Sequence, residues 1–105
     1  MNYLVKGKVL DQRTGAGIGG LRVEAWDKDP SADDYVGFDF TREDGSYEIV
    51  FDQGMYQELL FDCWPDLYFK VYRDQILLLS TEDSVAWDLR TPVHEIDLVI
   101  PSVAD

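Results

Sequence analysis

An all-β sandwich is the fold class this sequence predicts, and three observations carry it. Apolar and polar residues alternate with a period of two along several short runs. Glycine, aspartate and proline punctuate the gaps between them. Only one segment breaks into a helical period. The first strand is expected over residues 3–10, with Val5, Gly7 and Val9 on one face and Lys6 and Lys8 on the other. The run from Asp11 to Gly20 is too rich in glycine for anything but a loop. A second strand over 21–26 turns Leu21, Val23 and Ala25 one way and Arg22, Glu24 and Trp26 the other. Strands over 36–41 and 46–51 follow, joined by Arg42-Glu-Asp-Gly45, which reads as a tight hairpin because Asp-Gly supplies positive φ. After Asp52, the spacing of Met55, Tyr56, Leu59 and Leu60 predicts one short helix around residues 53–61, ended before Pro65. Strands resume at 67–72 and 76–79, turned by Arg73-Asp-Gln75. Residues 80–95 read as polar and irregular, and 96–100 as the closing strand before Pro101. The count is seven strands in a single domain spanning residues 1–105, with no repeat and no linker.

Composition narrows the function. The chain has 105 residues, 9 basic and 21 acidic, for a formal charge of −12. That charge argues against binding nucleic-acid phosphates or an anionic membrane through a basic patch. No stretch approaches the roughly 18 apolar residues of a spanning helix, and the first residues enter a strand pattern with no signal-peptide core. The compartment stays open. Cys63, the single cysteine, rules out an internal disulfide and a cysteine-rich zinc site.

Val5, Gly7, Val9 and Asp11, then Thr14-Gly15, Ile18, Gly20 and Val23, resemble the carboxypeptidase-regulatory-like domains. So does the continuation through Thr41, Asp44-Gly45, Tyr47 and Ile49. Pro65-Asp-Leu-Tyr-Phe-Lys-Val-Tyr72 is similar to the transthyretin-like proteins. The resemblance covers roughly residues 3–73 and, weakly, 95–100. It implies a seven-stranded, transthyretin-like (prealbumin-like) Greek-key sandwich that serves as a binding module and is not an enzyme. Two enzymes on such a fold need residues this chain lacks. Hydroxyisourate hydrolase relies on several histidines and a terminal Tyr-Arg-Gly-Ser, and intradiol dioxygenases hold iron with two histidines and two tyrosines. Here His94 is the single histidine. It reads as a local hydrogen-bonding residue, and Cys63 as a packing thiol beside Phe61 and Trp64.

In an antiparallel sandwich successive loops alternate between the two ends. Loops 27–35, 52–66 and 80–95 then share one end and are the long ones, where binding residues usually lie. That end holds twelve of the 21 acids. Two readings follow. In the first, an acidic-aromatic surface made of Tyr35, Trp64, Trp87, Asp62, Asp66 and Asp88 docks a protein partner, for which a cationic surface is the electrostatic match, or joins a larger assembly. In the second, Asp27, Asp29 and Asp34 ligate calcium or a small ligand. Their order resembles a calcium-ligating loop of the lipid-binding domains related to protein kinase C, with a gap one residue short. The bland reading of the same loop is a solvated turn begun by Asp-Pro and Asp-Asp. Free edge strands leave pairing with another chain open.

Overall fold

The computed structural model describes residues 2–28, 33–52, 66–85 and 93–101. Eight strands follow one another as β1 (Asn2–Asp11), β2 (Arg22–Asp27), β3 (Asp34–Phe40), β4 (Ser46–Asp52), β5 (Leu67–Arg73), β6 (Ile76–Ser80), β7 (Val93–Glu95) and β8 (Leu98–Ile100). They form two four-stranded sheets. One has the order β4-β1-β7 with β8 also on β1, and the other the order β3-β2-β5-β6. The expected β-sandwich is therefore present, with eight strands where seven were predicted. The helix expected around 53–61 lies outside the described residues.

Alternation builds the core. Val5 and Val9 of β1, Val23 and Ala25 of β2, Ile49 and Phe51 of β4, and Leu67, Phe69 and Val71 of β5 are all buried. Tyr3 stacks on Phe51 at 5.2 Å, and Tyr47 meets Phe69 edge-on at 6.2 Å, so aromatic pairs close the space between the sheets.

Three local expectations change. The turn at 42–45 is tight, closed by the Gly45 N–H donating to the Arg42 carbonyl at 2.8 Å, with Gly45 at φ +87°. It is not a hairpin, because β3 pairs with β2 and β4 pairs with β1. A positive φ reverses the chain; it does not choose the strand that hydrogen-bonds next. The turn instead carries the chain from one sheet to the other. Second, the closing strand is split. β7 and β8 both run parallel to β1, against Leu4–Lys6 and Val9–Asp11 respectively. Between them the chain kinks at Ile96 and Asp97. The Ile96 carbonyl crowds the bare face of Gly7 and accepts the Tyr47 hydroxyl, while the Asp97 carboxylate accepts the Lys8 N–H at 2.9 Å. Third, a 3-10 turn (Glu82–Ser84) and β7 order part of the stretch read as irregular.

The registers do place the loops as alternation requires. Asp27, Asp34 and Leu67 lie at one end of their sheet, and Asn2 pairs with Asp52 at the matching end of the other. At the opposite end the 41–45 turn sits on β1, where the Val9 N–H donates to the Gly45 carbonyl at 2.8 Å and the Ile18 N–H to Val9 at 2.9 Å. Thr41, buried there, accepts the Leu21 N–H on its hydroxyl at 2.9 Å.

This corner predicts a sharp contrast between two glycines of positive φ. A Cβ on Gly45 would lie 2.6 Å from the Val9 carbonyl oxygen, whereas one on Gly15 meets nothing within 4 Å. Gly15→Ala should cost about 1–2 kcal/mol for the left-handed backbone alone. Gly45→Ala should cost about 3 kcal/mol or more, since overpacking adds to that strain. Urea unfolding of the two variants checks the difference.

Candidate functional site: the outer face of the β3-β2-β5-β6 sheet

The outward residues of this sheet are not the polar set that a solvated sandwich face carries. On β2 they are Arg22, Glu24 and Trp26. The register places Tyr72, Lys70 and Tyr68 of β5 opposite them on one side, and Phe40, Phe38 and Tyr35 of β3 on the other. In a regular strand Tyr35 and Phe38 would face opposite ways. An irregularity opposite Ala25 and Trp26 turns both outward, and Val36 packs against the core. Tyr35, Phe38 and Phe40 are 47%, 46% and 54% exposed.

The side chains form one continuous network. The Arg22 guanidinium lies 3.9 Å from the Phe38 ring centre, and Phe38 meets Phe40 edge-on at 5.7 Å. Arg22 Nε donates to Glu24 Oε2 at 2.9 Å, and Trp26 Nε1 donates to Glu24 Oε1 at 3.2 Å. That pairing holds the Arg22 guanidinium charged above its ordinary range. Trp26 contacts Tyr35 edge-on at 5.5 Å, stacks on Tyr68 at 6.4 Å, and has the Lys70 ammonium 4.6 Å from its ring. The Tyr68 hydroxyl donates to Asp33 Oδ2 at 2.6 Å. Lys28 reaches the same carboxylate at 3.6 Å and Glu82 at 3.0 Å. Cations thus cover the faces of Phe38 and Trp26, so a sugar ring could not stack there without displacing them. Two cavities lie elsewhere. One, of about 420 Å³, is a groove lined by Lys6, Lys8, Ser46, Glu48 and Glu95, and the other, of about 190 Å³, opens between Phe69, Thr81 and Leu98. Neither is lined by the residues of the aromatic face.

The residues expected at the loop end divide. Asp27 is buried and accepts the Asp66 N–H at 3.0 Å, while the Asp66 carbonyl accepts the Lys28 N–H at 2.8 Å. Asp27 therefore ties β2 to the entry of β5. Asp34 is its register partner on β3 and is half-buried. Among the described residues no three His, Cys, Asp or Glu side chains are placed to hold a metal ion. Asp29, Asp62, Trp64, Trp87 and Asp88 lie outside the described residues. Tyr35 joins the sheet face. His94 sits in β7, half-buried, beside Val5. The sequence reading stopped at Trp26 and Tyr35 and missed Phe38, Phe40, Tyr68, Lys70 and Tyr72. A usable signal was present: once Leu67, Phe69 and Val71 are inward, Tyr68, Lys70 and Tyr72 must be outward.

No family model matches the chain, and no curated protein does. Solved structures do match. A 9R-lipoxygenase from Cyanothece is 18% identical with a TM-score of 0.65, covering 96% of this chain, which spans 16% of the lipoxygenase. The dioxygenase domain of a dioxygenase carbohydrate-binding protein fusion from Streptomyces sp. SirexAA-E is 16% identical, TM-score 0.57, over 97% of this chain and 80% of that one. An alternative pilotin from the type II secretion system of Vibrio cholerae is 11% identical, TM-score 0.60, over 100% of both chains. Dioxygenases are among the neighbours, but such identities carry the fold and not the chemistry. No described helix is long and apolar enough to cross a membrane.

Two predictions follow from these contacts. Asp27→Ala leaves the Asp66 N–H without its acceptor and should cost about 1–3 kcal/mol, while Asp27→Asn, which keeps an acceptor oxygen, should cost less. Urea titrations in EDTA check this, because a structural role needs no metal. Burial pushes the Tyr47 phenol well above its ordinary range, and burial followed by the Asp33 hydrogen bond does the same for Tyr68. The folded state keeps these protons where the unfolded chain, with phenols near about pH 10, releases them. Their contribution is therefore full below that pH and lost as pH rises above it. Alkaline unfolding should begin there, and Tyr68→Phe should flatten its slope.

Proposed function

We propose that the chain is a non-catalytic interaction module of the transthyretin-like, carboxypeptidase-regulatory-like kind, which docks a folded protein partner. The docking surface is the aromatic outer face of the β3-β2-β5-β6 sheet together with the Tyr35 end of the molecule. The observation that carries this reading is the exposure of Tyr35, Phe38 and Phe40 beside Arg22 and Trp26 on one sheet face. Aromatic residues and arginine are the types enriched in protein interfaces and their energetic centres. Four strands about 4.8 Å apart and six residues at about 3.3 Å each give a footprint of roughly 20 by 20 Å. That is about 400 Å² in projection, half of the roughly 800 Å² per partner of a standard interface before side-chain relief and the Tyr35 end add to it. The non-catalytic half of the reading is supported by the lone histidine and by a face whose charged groups are already engaged with rings and with one another. The full-length likeness to a pilotin is in keeping with a component of a larger assembly.

Immobilised parent chain should retain a partner protein from extract of the cells that make it. The double variant Phe38→Ser, Phe40→Ser should retain about thirtyfold less, the scale of an interface hot spot. Its own stability should fall by no more than about 1 kcal/mol, because both rings are half exposed. Equal retention by the two proteins overturns the assignment.

A further inference from the structure

The charges on this face are not equivalent. Arg22 and Glu24 neutralise each other at 2.9 Å, and Lys28 is shared between Asp33 and Glu82. Lys70 is held only against the Trp26 ring among the described residues, at 4.6 Å, at the centre of the face. While the face is in water, solvent completes the shell of that ammonium. A partner lying flat on Trp26 would remove that water. Desolvating an ammonium costs more than an aromatic ring beneath it returns. A purely apolar partner would therefore leave a buried charge uncompensated.

Resting on the docking assignment above, we infer that the occupant of this face is a folded protein presenting an apolar patch with a carboxylate at its centre, and that Lys70 on Trp26 is the residue that selects it. The ammonium lies 4.6 Å from the Trp26 ring, so the carboxylate meets a cation that is already placed over it. Arg22, already paired, contributes apolar contact through its stem and needs no counter-charge. The rest of the molecule works in the same direction. In a chain of formal charge −12, cationic spots are few, and a carboxylate that meets one gains orientation as well as affinity.

The test separates this inference from the reading beneath it. A photo-crosslinking phenylalanine analogue is placed at Phe38 and, as a control, at Val50 on the other sheet, and the full chain is irradiated in native extract. The crosslinked partner is then purified and its affinity measured for the parent, Lys70→Glu, Lys70→Arg and Phe40→Ser. The expected result is a product at position 38 and not at 50, binding about thirtyfold weaker for Lys70→Glu, and near-parental binding for Lys70→Arg. Exchange of the facing Asp or Glu of the partner for lysine should then restore binding to Lys70→Glu. A product at 38 whose affinity ignores Lys70→Glu but falls with Phe40→Ser overturns the carboxylate and leaves the docking face standing. A product of twice the chain's mass puts a second copy there and overturns the choice of occupant. No product at 38 overturns the docking face itself.

Discussion

The pairing of β2 with β5 is the constraint on which both sides of the molecule depend. Val23 stands opposite Val71 and Ala25 opposite Phe69, and these four fill the centre of the core. The intervening pairs, Arg22 with Tyr72, Glu24 with Lys70 and Trp26 with Tyr68, form the centre of the outer face. A slip of one residue by either strand would turn that strand over, placing Glu24 or Lys70 inside and its core residues in water. Because the error is so costly on the inner side, the outer side is placed with the same precision. The aromatic face inherits rigidity from the core behind it, which few loop sites have.

Much of this could be read from the residues themselves, and the reasons it stopped are local. The inward sets of β1, β2 and β5 follow from alternation alone, as does the gathering of the long loops at one end. The separation of β3 and β4 into different sheets does not, since Asp44-Gly45 serves a hairpin and a crossover equally well. The outward turn of Tyr35 depends on the irregularity at Val36, which no spacing announces. The kink at Ile96 depends on an approach to Gly7, 89 residues away, and pairwise pattern carries no trace of such a contact. The acidic loop reading meets a different fact: Asp27 accepts the Asp66 N–H on Oδ1, a structural use that spacing does not announce.

The proposed docking face differs physically from acidic loop residues. Loop acids are cheap in an acidic chain and cost nothing to leave in solvent. Exposed phenylalanines on a central sheet cost solubility, and their ring contacts do not need exposure to form. In the proposed docking face, the Lys70 ammonium over Trp26 would add direction to an otherwise apolar surface.

The parallel seating of β7 and β8 on β1 has a consequence for synthesis. Synthesis makes β1 before every strand that pairs with it, yet one of its two flanks is completed only by residues 93–100. Until then it can pair with β4 alone, and its other flank offers unsatisfied amides and carbonyls to any extended neighbour. Closing a loop of this length is also the slow step in a topology rich in distant contacts. Six strands precede β7 in the chain, so that flank of β1 stays open until the last two strands of the described sandwich follow.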